Sequence, residues 1–159
     1  MNIEYREPTE EEMNSWELAQ FVESVECHFE DIAKDTIGSE FEGNFRGLND
    51  DDYVLVAYDA DAETFAGVVI LDNCNDIRAP FVLLDNLYVK WEYRRHGIGG
   101  ELVKRAVSVA REAGKKVVLS VLSQNDIGRK FWGKFNFLKP YFAEYIVDYD
   151  EYDAEAKKC

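Results

Sequence analysis

A glycine-rich segment with two arginines is the part of this sequence best suited to bind an anion. Residues 94–99 (RRHGIG) fit the pattern R-x-x-G-x-G, and Gly100 follows directly. Glycine has no Cβ, so a diphosphate can approach such a backbone closely. A helix that begins here would also direct its free N–H groups and the positive end of its dipole toward the anion. The segment therefore predicts an anion site, although a plain turn between a strand and a helix has the same composition.

The residues around this segment narrow the choice of anion. The segment is neither a P-loop, since no Gly-Lys-Ser/Thr follows, nor the G-x-G-x-x-G of a dinucleotide fold. Residues 87–102 (LYVKWEYRRHGIGGEL) are similar to the acetyl-CoA signature of the GNAT superfamily of N-acetyltransferases. Residues 125–137 (NDIGRKFWGKFNF) resemble that family's later signature, N-x-x-A-x-x-x-Y-x-x-x-G-F. Both blocks stand in the family's order and spacing within residues 81–137, roughly a third of the chain.

The resemblance implies that acetyl-CoA is a co-substrate. The N–H groups from Arg95 to Gly100 would bind the pyrophosphate, and the backbone of Leu87–Val89 would pair with the pantetheine arm as a neighbouring strand would. Asn125 matches the family asparagine that helps hold the pantetheine, and it is equally suited to cap a helix. The residues implied in binding the co-substrate are Leu87, Tyr88, Val89, Arg94, Arg95, His96, Gly97, Ile98, Gly99, Gly100 and Asn125.

Asp85 is the best candidate for a general base. A lysine-like ammonium has a pKa of about 10.4, so deprotonation at pH 7 costs about 4.6 kcal/mol, and a positioned base is useful. Some amine-acetylating members of the family place a carboxylate at this point, in a Glu-Asp-Leu/Ile-Tyr-Val pattern. The corresponding residues 85–89 of this sequence are DNLYV. A carboxylate buried in an apolar strand needs a purpose, although Asp85 could also emerge at the rim of the cleft without acting. Glu26, Glu30 and His28 are weaker candidates.

Trp132 departs from the family pattern, because it stands where the family has the tyrosine that protonates the leaving thiolate. Asn136 likewise replaces the glycine before the closing phenylalanine. An indole N–H is a donor without useful acidity. A thiol pKa of about 8.5 makes the thiolate a tolerable leaving group, so an enzyme without this acid would lose about 100-fold. A catalytically silent relative that still binds CoA is therefore a real alternative.

The charge is large and unevenly distributed. The chain has 159 residues, enough for one domain with a substantial core, and a formal net charge of −14. Residues 90–140 contain 12 Lys/Arg and 4 Asp/Glu, whereas the rest contains 6 and 28. The basic part suits CoA phosphates and the acidic part suits a cationic acceptor; a solvated acidic surface is the alternative interpretation. Nucleic acid is disfavoured as a partner, because its phosphates would be repelled.

Cysteine and histidine usage gives no metal site and indicates a reducing compartment. The three cysteines are isolated and lack ligand spacing, which predicts a cytoplasmic protein with no metal. The two histidines and the absence of G-x-S-x-G exclude a hydrolase elbow. No apolar run approaches the roughly 18–20 residues of a membrane span, and the first residues are polar and acidic, so no membrane partner is expected.

Hydrophobic spacing and turn residues predict the elements that must position these groups. Residues 81–89 are almost continuously apolar, which predicts a strand buried on both faces. Strands are expected at residues 3–7, 53–58, 64–71, 81–89, 116–121 and 141–149, and helices at 10–34 (one long or two short), 98–113 and 126–134.

We expect an α/β (α+β) fold in a single domain over residues 1–149, with an acidic tail at residues 150–159. From the resemblance we expect a GNAT-like mixed, mostly antiparallel sheet with helices on both faces. It would be splayed at its centre, between its fourth and fifth strands, with CoA in the cleft.

The predicted function is direct transfer of the acetyl group of acetyl-CoA to a primary amine of a cationic acceptor. A polyamine, an aminoglycoside-type compound and a lysine side chain all remain open, and so does a homodimer. The alternative is a catalytically silent CoA-binding or acidic protein-interaction module, in which the acidic surface would occupy a basic partner.

Overall fold

The computed structural model describes residues 1–37, 48, 50–121 and 125–139. The chain forms two compact units, residues 1–125 and 126–159. The strand expected at 141–149, the acidic tail and most of the segment 38–52 lie outside the described residues. The division into one domain and a tail stays a prediction.

The first unit is built on a five-stranded sheet with the strands in sequence order. The first four strands are antiparallel to their neighbours, and the fifth is parallel to the fourth. This is the expected mixed, mostly antiparallel sheet. Its strands are β1 (Ile3–Arg6), β2 (Tyr53–Asp59), β3 (Thr64–Asp72), β4 (Phe81–Val89) and β5 (Lys116–Val118).

Helices precede and follow the central strands. The helical pattern of residues 10–34 forms two helices, α1 (Glu10–Met13) and α2 (Trp16–Ile37). A 3₁₀ turn (Trp91–Tyr93) follows β4 and leads into α3 (Ile98–Glu112). In the second unit, α4 covers Asp126–Trp132, two residues shorter than expected.

The core has two layers, one on each face of the sheet. β3 is buried along nearly its whole length, as a central strand covered on both faces should be. One layer joins α2 to alternate residues of β2 and β3: Leu18, Phe21, Val22, Val25, Val54, Val56, Phe65, Val68 and Ile70. The other layer is the apolar stripe of α3, whose buried residues are Ile98, Leu102, Val103, Ala106 and Ala110.

The expectation that β4 is buried on both faces was wrong. Leu83 is 43% exposed, and Asp85 is exposed as well. β5 is also shorter than its apolar sequence indicated and pairs only with Phe81–Leu83. The rest of β4 therefore has no described strand on that side, and the sheet opens where the splay was expected.

A cluster of polar contacts fixes the start of α1 against β1. Thr9 and Glu12 form a capping box, in which each side chain accepts from the other's backbone N–H. The Arg6 guanidinium donates two hydrogen bonds to the Glu12 carboxylate, at 2.7 and 2.9 Å. These bonds from Arg6 are the main reason that the pKa of Glu12 falls to about 2.

Candidate active site

The segment from Arg95 to Gly100 presents a row of unused backbone N–H groups. None of them donates a hydrogen bond to another described residue. Ile98, Gly99 and Gly100 are the first residues of α3, where a helix has no internal acceptor for its N–H groups. The row lies directly after β4 and its turn, and its role as an anion site stays a prediction.

The backbone of this segment is held in an uncommon conformation. Gly97 has a φ of 81° and caps α3 in the left-handed region. Arg95, which has a side chain, also has a positive φ, 69°. Such a residue costs about 1–3 kcal/mol and marks a functional or tightly constrained turn. Gly100 lies in open space, because a Cβ built there meets no atom within 4 Å.

Arg94 ties the end of β4 to the turn that follows. Its Nε donates to the Val89 carbonyl at 2.9 Å. Its guanidinium lies over two rings, with Cζ 5.5 Å from the centre of Tyr88 and 5.1 Å from that of Trp91. These contacts give Arg94 a structural role beside the co-substrate role implied by the resemblance.

A second tie, which sequence reasoning missed, holds the turn to the end of β2. The Tyr93 hydroxyl donates to Oδ2 of Asp59 at 3.1 Å. Asp59 is 4% exposed, and its Oδ1 accepts from the N–H groups of Asn2 and Asp61. Burial disfavours its ionised form, but the three hydrogen bonds outweigh burial and hold the pKa of Asp59 below its ordinary value.

One edge of β4 is open next to this segment. The Lys90 N–H donates to the carbonyl of Ala66, which lies on the neighbouring strand β3. By the alternation of an antiparallel ladder, the N–H and C=O groups of Leu87 and Val89 point toward the opposite edge. The Val89 carbonyl accepts from Arg94, and no described strand pairs with the remaining groups. This edge therefore has hydrogen-bonding groups that fit an extended amide chain.

Asp85 is the extra residue of a β-bulge. Ile70 of β3 lies opposite Asn86, and the next residue, Leu71, lies opposite Leu84. An extra residue breaks the alternation of side chains. The side chains of Asp85 and Asn86 accordingly lie on the same side, where Asn86 Nδ2 donates to Asp85 Oδ2 at 3.2 Å. Of the two placements left open for Asp85, burial in the apolar strand is wrong, because the side chain is exposed.

The weaker base candidates are only partly described. The side chains of Glu26 and Glu30 lie outside the described residues. His28 packs edge-on against Tyr88, with ring centres 5.5 Å apart. Burial, and secondly the positive charge of Arg94, lower the pKa of His28 below its ordinary value. His28 is therefore close to the end of β4 and more readily neutral than a free histidine.

The structure also places four further candidate site residues: Ile98, His96, Asn125 and Trp132. Ile98 is 2% exposed, so its side chain belongs to the core and only its N–H is available. The exposed His96 places Nδ1 3.3 Å from the Tyr93 carbonyl. Asn125 directly precedes α4. In the second unit, Trp132 packs edge-on against Phe131, with ring centres 5.0 Å apart.

Neither metal ligands nor a membrane span is found in the part of the chain that the structure describes. That part contains no group of three or more His, Cys, Asp or Glu arranged to hold a metal ion. None of its helices combines the length and the apolar character that a membrane crossing requires. The compartment stays a prediction.

Comparison with models of known protein families identifies a match to this sequence. Residues 10–137 match the model of the Acetyltransferase (GNAT) family. No curated protein matches the sequence significantly.

Solved structures share the fold at low sequence identity. The aminoglycoside acetyltransferase meta-AAC0020 from an uncultured soil metagenomic sample, in complex with trehalose, is 14% identical, with 92% of this chain and 95% of that chain covered and a TM-score of 0.60. Ribosomal-protein-alanine N-acetyltransferase from Brucella melitensis biovar Abortus 2308 is 17% identical (92% and 99% covered, TM-score 0.61). AAC(6')-Iy in complex with the bisubstrate analog CoA-S-monomethyl-acetylneamine is 15% identical (93% and 99% covered, TM-score 0.63).

The family match covers more than half of the chain, including the whole segment from β2 to α4. The five-stranded sheet with its open β4 edge agrees with the structural likeness. The chain therefore belongs to the GNAT family of acetyl-CoA-dependent N-acetyltransferases.

Proposed function

We propose that this protein transfers the acetyl group of acetyl-CoA directly to the primary amine of a cationic acceptor. The observation that carries the proposal is the row of free N–H groups from Arg95 to Gly100, which begins where the open edge of β4 ends. One feature suits a diphosphate and the other suits the amide chain of pantetheine. Their succession along the chain matches the order of these parts in CoA.

The glycine segment provides the phosphate end of this site. Free N–H groups at a helix N-terminus bind anions, and the dipole of α3 adds to the attraction. Since Gly100 has open space above its Cα, a phosphate can reach the backbone there. Arg95 and His96 are exposed beside it, and the Arg95 guanidinium can add positive charge. Leu87 and the N–H of Val89 offer the next hydrogen bonds, along β4.

Asp85 is proposed as the general base. The ammonium of the acceptor must lose a proton before its nitrogen can attack the acetyl carbonyl carbon, and a carboxylate can accept that proton directly or through water. The new C–N bond then forms as the C–S bond breaks, and sulfur leaves as the CoA thiolate. Asp85 suits this role because it is exposed at the bulge, two residues before the open edge groups of Leu87.

The proposed acceptor is a cationic amine. It is a polyamine, an aminoglycoside-type compound or a lysine side chain. The excess of acidic residues outside residues 90–140 favours a cation over a neutral or anionic acceptor. Proteins of this fold that act on aminoglycosides and on a ribosomal protein make both small molecules and peptides reasonable choices. The acceptor would bind on the side of β4 that exposes Asp85 and Leu83.

A thiol-release assay over an amine panel tests the proposal. Wild type should release CoA with at least one polyamine, aminoglycoside or lysine peptide. Asp85→Asn should lower kcat by about 100-fold or more while acetyl-CoA affinity stays nearly unchanged, because only the proton acceptor is lost. The matched control is Asp51→Asn, which removes the same charge from an exposed turn.

The competing function is a silent CoA-binding module, and the replacement of the family tyrosine by Trp132 favours it. Tight acetyl-CoA binding without thiol release from any amine would support this alternative over the enzyme. Wild-type activity in Asp85→Asn would instead leave the enzyme in place and remove Asp85 as its base.

A further inference from the structure

Trp91 presents a largely bare aromatic ring beside the proposed phosphate site. The residue is 74% exposed, although tryptophan is on average a well-buried residue. It begins the 3₁₀ turn that joins β4 to the glycine segment. Exposure of a single apolar side chain does not indicate a ligand. The contacts of this ring and its place in the chain do.

One face of the Trp91 ring is covered by a guanidinium. Cζ of Arg94 lies 5.1 Å from the centre of this ring and 5.5 Å from the centre of the Tyr88 ring. The Trp91 side chain makes no further ring contact or hydrogen bond with the residues that the structure describes. The ring is therefore held by Arg94 on one face and open on the other.

The turn that carries Trp91 is fixed by hydrogen bonds. The N–H groups of Tyr93 and Arg94 donate to the carbonyls of Lys90 and Trp91, at 2.9 and 3.1 Å. The Tyr93 hydroxyl donates to the buried carboxylate of Asp59. A ring held in this way gives up little conformational freedom when a ligand binds, so it offers a preorganised surface for stacking.

The ring also stands at a suitable distance from the row of free N–H groups, which begins at Arg95. Four residues span at most about 14 Å of chain, and the 3₁₀ turn shortens that distance. Arg94 lies between the ring and the row, and its terminal Nη groups donate no hydrogen bond to a described residue. A flat ring, a guanidinium with unused donors and a row of N–H groups therefore follow one another. A nucleotide carries the matching groups, a planar base and phosphates.

The charge around Trp91 decides between the two ligands that a free aromatic face could take. Tryptophan rings bind cations, but a cationic acceptor on the open face would be repelled by the guanidinium on the other. Residues 90–95 (KWEYRR) contain three cationic side chains and one carboxylate. An uncharged base is not repelled there, and the phosphates attached to it are attracted.

We infer that the open face of Trp91 stacks against the adenine ring of acetyl-CoA. This inference rests on the proposed function, because it takes the glycine segment as the site of the pyrophosphate. Stacking between a base and an aromatic side chain contributes to affinity without any hydrogen bond to the base. The site therefore favours an acetyl donor that carries adenosine over a donor with the same pantetheine arm and no adenosine.

Two acetyl donors separate this stacking from the other contacts of CoA. S-acetyl-4′-phosphopantetheine keeps the thioester, the pantetheine arm and one phosphate of acetyl-CoA, and it lacks adenosine. In calorimetric titrations, Trp91→Ala should lower the affinity for acetyl-CoA by about tenfold and change that for the shorter donor by less than about twofold. Trp91→Phe keeps an aromatic face and should lower the affinity for acetyl-CoA by less than about threefold. Trp16→Ala is the control, because Trp16 is 73% exposed at the start of α2 and should change neither affinity.

Tryptophan fluorescence gives a second readout. Adenosine 3′,5′-bisphosphate, the nucleotide portion of CoA, should quench the emission of wild type and of Trp16→Phe, but not that of Trp91→Phe. Unchanged acetyl-CoA affinity in Trp91→Ala would overturn the inference and leave the co-substrate site in place. An equal loss of affinity for both donors would also overturn it, because Trp91 would then act only by holding Arg94. If wild type binds no acetyl-CoA, the proposed function fails and the inference fails with it.

Discussion

The Tyr93 hydroxyl donates a 3.1 Å hydrogen bond to Oδ2 of Asp59, and this bond joins the turn before the glycine segment to the end of β2. The two residues are 34 positions apart in sequence. The bond from Arg94 to the Val89 carbonyl joins the same turn to the end of β4. The turn that precedes the row of free N–H groups is therefore anchored at two points. The geometry of the proposed phosphate site therefore depends on hydrogen bonds that lie outside the row of N–H groups itself.

Tyr93→Phe should weaken acetyl-CoA binding by about three- to tenfold, since it removes one bond to a buried carboxylate and loosens the turn. Calorimetric titration of acetyl-CoA measures the effect. Tyr5→Phe is the control, because the Tyr5 hydroxyl makes no hydrogen bond to a described residue. Equal affinity in both variants would show that the turn holds its geometry without Tyr93.

The same bond gives stability a defined dependence on pH. The pKa of Asp59 is below its ordinary value in the folded state, so its contribution is present above the unfolded pKa of about 3.9 and is lost as pH falls through the folded pKa. Tyr93→Phe removes a donor to the ionised carboxylate, so the variant should have a lower free energy of unfolding than wild type at neutral pH. The two free energies should converge in acid. Urea unfolding at pH 7 and pH 3 measures this, and a constant difference would contradict it.

Gly100→Val should abolish CoA binding and leave the fold intact. A Cβ at Gly100 meets no atom of the protein, so the branched side chain would obstruct only a ligand. We expect a loss of affinity of about 100-fold or more, with little change in thermal midpoint. Ser108→Val is the control, because it introduces the same valine side chain on the exposed side of the same helix, away from the site.

Gly97→Val is a less clean test, because Gly97 has a φ of 81° and any side chain there is strained. It should lower both the thermal midpoint and CoA affinity. A Gly100→Val protein that is folded and binds CoA as wild type does would remove the glycine segment from the co-substrate site.

Glu12→Gln should destabilise the protein by about 1 kcal/mol at pH 7, because it weakens the contact with Arg6 and half of the capping box. The folded pKa of Glu12 is about 2, below its unfolded value, so the contribution is present above about pH 4.5 and is lost as pH falls toward 2. Wild type and variant should therefore approach equal stability near pH 2. Urea unfolding across this range checks the convergence, with Glu11→Gln, an exposed neighbour, as the control.

The strands and the glycine segment could be predicted because each has a local signature. Runs rich in apolar and β-branched residues predicted β2 and β3, and R-x-x-G-x-G predicted the start of α3. The contact between Asp85 and Asn86 could not be predicted in this way, because a β-bulge depends on the register between two strands and leaves no mark in the periodicity of one.

The role of Asp59 was hidden for a different reason. It stands at the start of a run, Asp59-Ala60-Asp61, with the composition of a solvated hairpin turn. Its burial results from Asn2 and Tyr93, which come from distant parts of the chain. Only the tertiary structure brings these donors together, so no local pattern could distinguish Asp59 from its exposed neighbour Asp61.

Trp132→Tyr tests whether the enzyme works without a general acid. Trp132 occupies the position of the family tyrosine, and its ring packs against Phe131 and Phe135, with ring centres 5.0 and 5.8 Å apart. A tyrosine ring can keep these aromatic contacts and supply an acidic hydroxyl. We expect kcat to change by no more than about 100-fold, since that is the lower end of the contribution of a general acid and the thiolate is already a tolerable leaving group.

Trp132→Phe is the matched control, because it removes the indole N–H without adding an acid. If the new hydroxyl acts as an acid, kcat should rise in Trp132→Tyr alone, and the gain should disappear as pH approaches the tyrosine pKa of about 10. Single-turnover thiol release measures the chemical step apart from product release. A fall of more than about 1,000-fold in both variants would mean that Trp132 itself contributes to the reaction, and it would contradict the view that thiolate departure needs no help from this position.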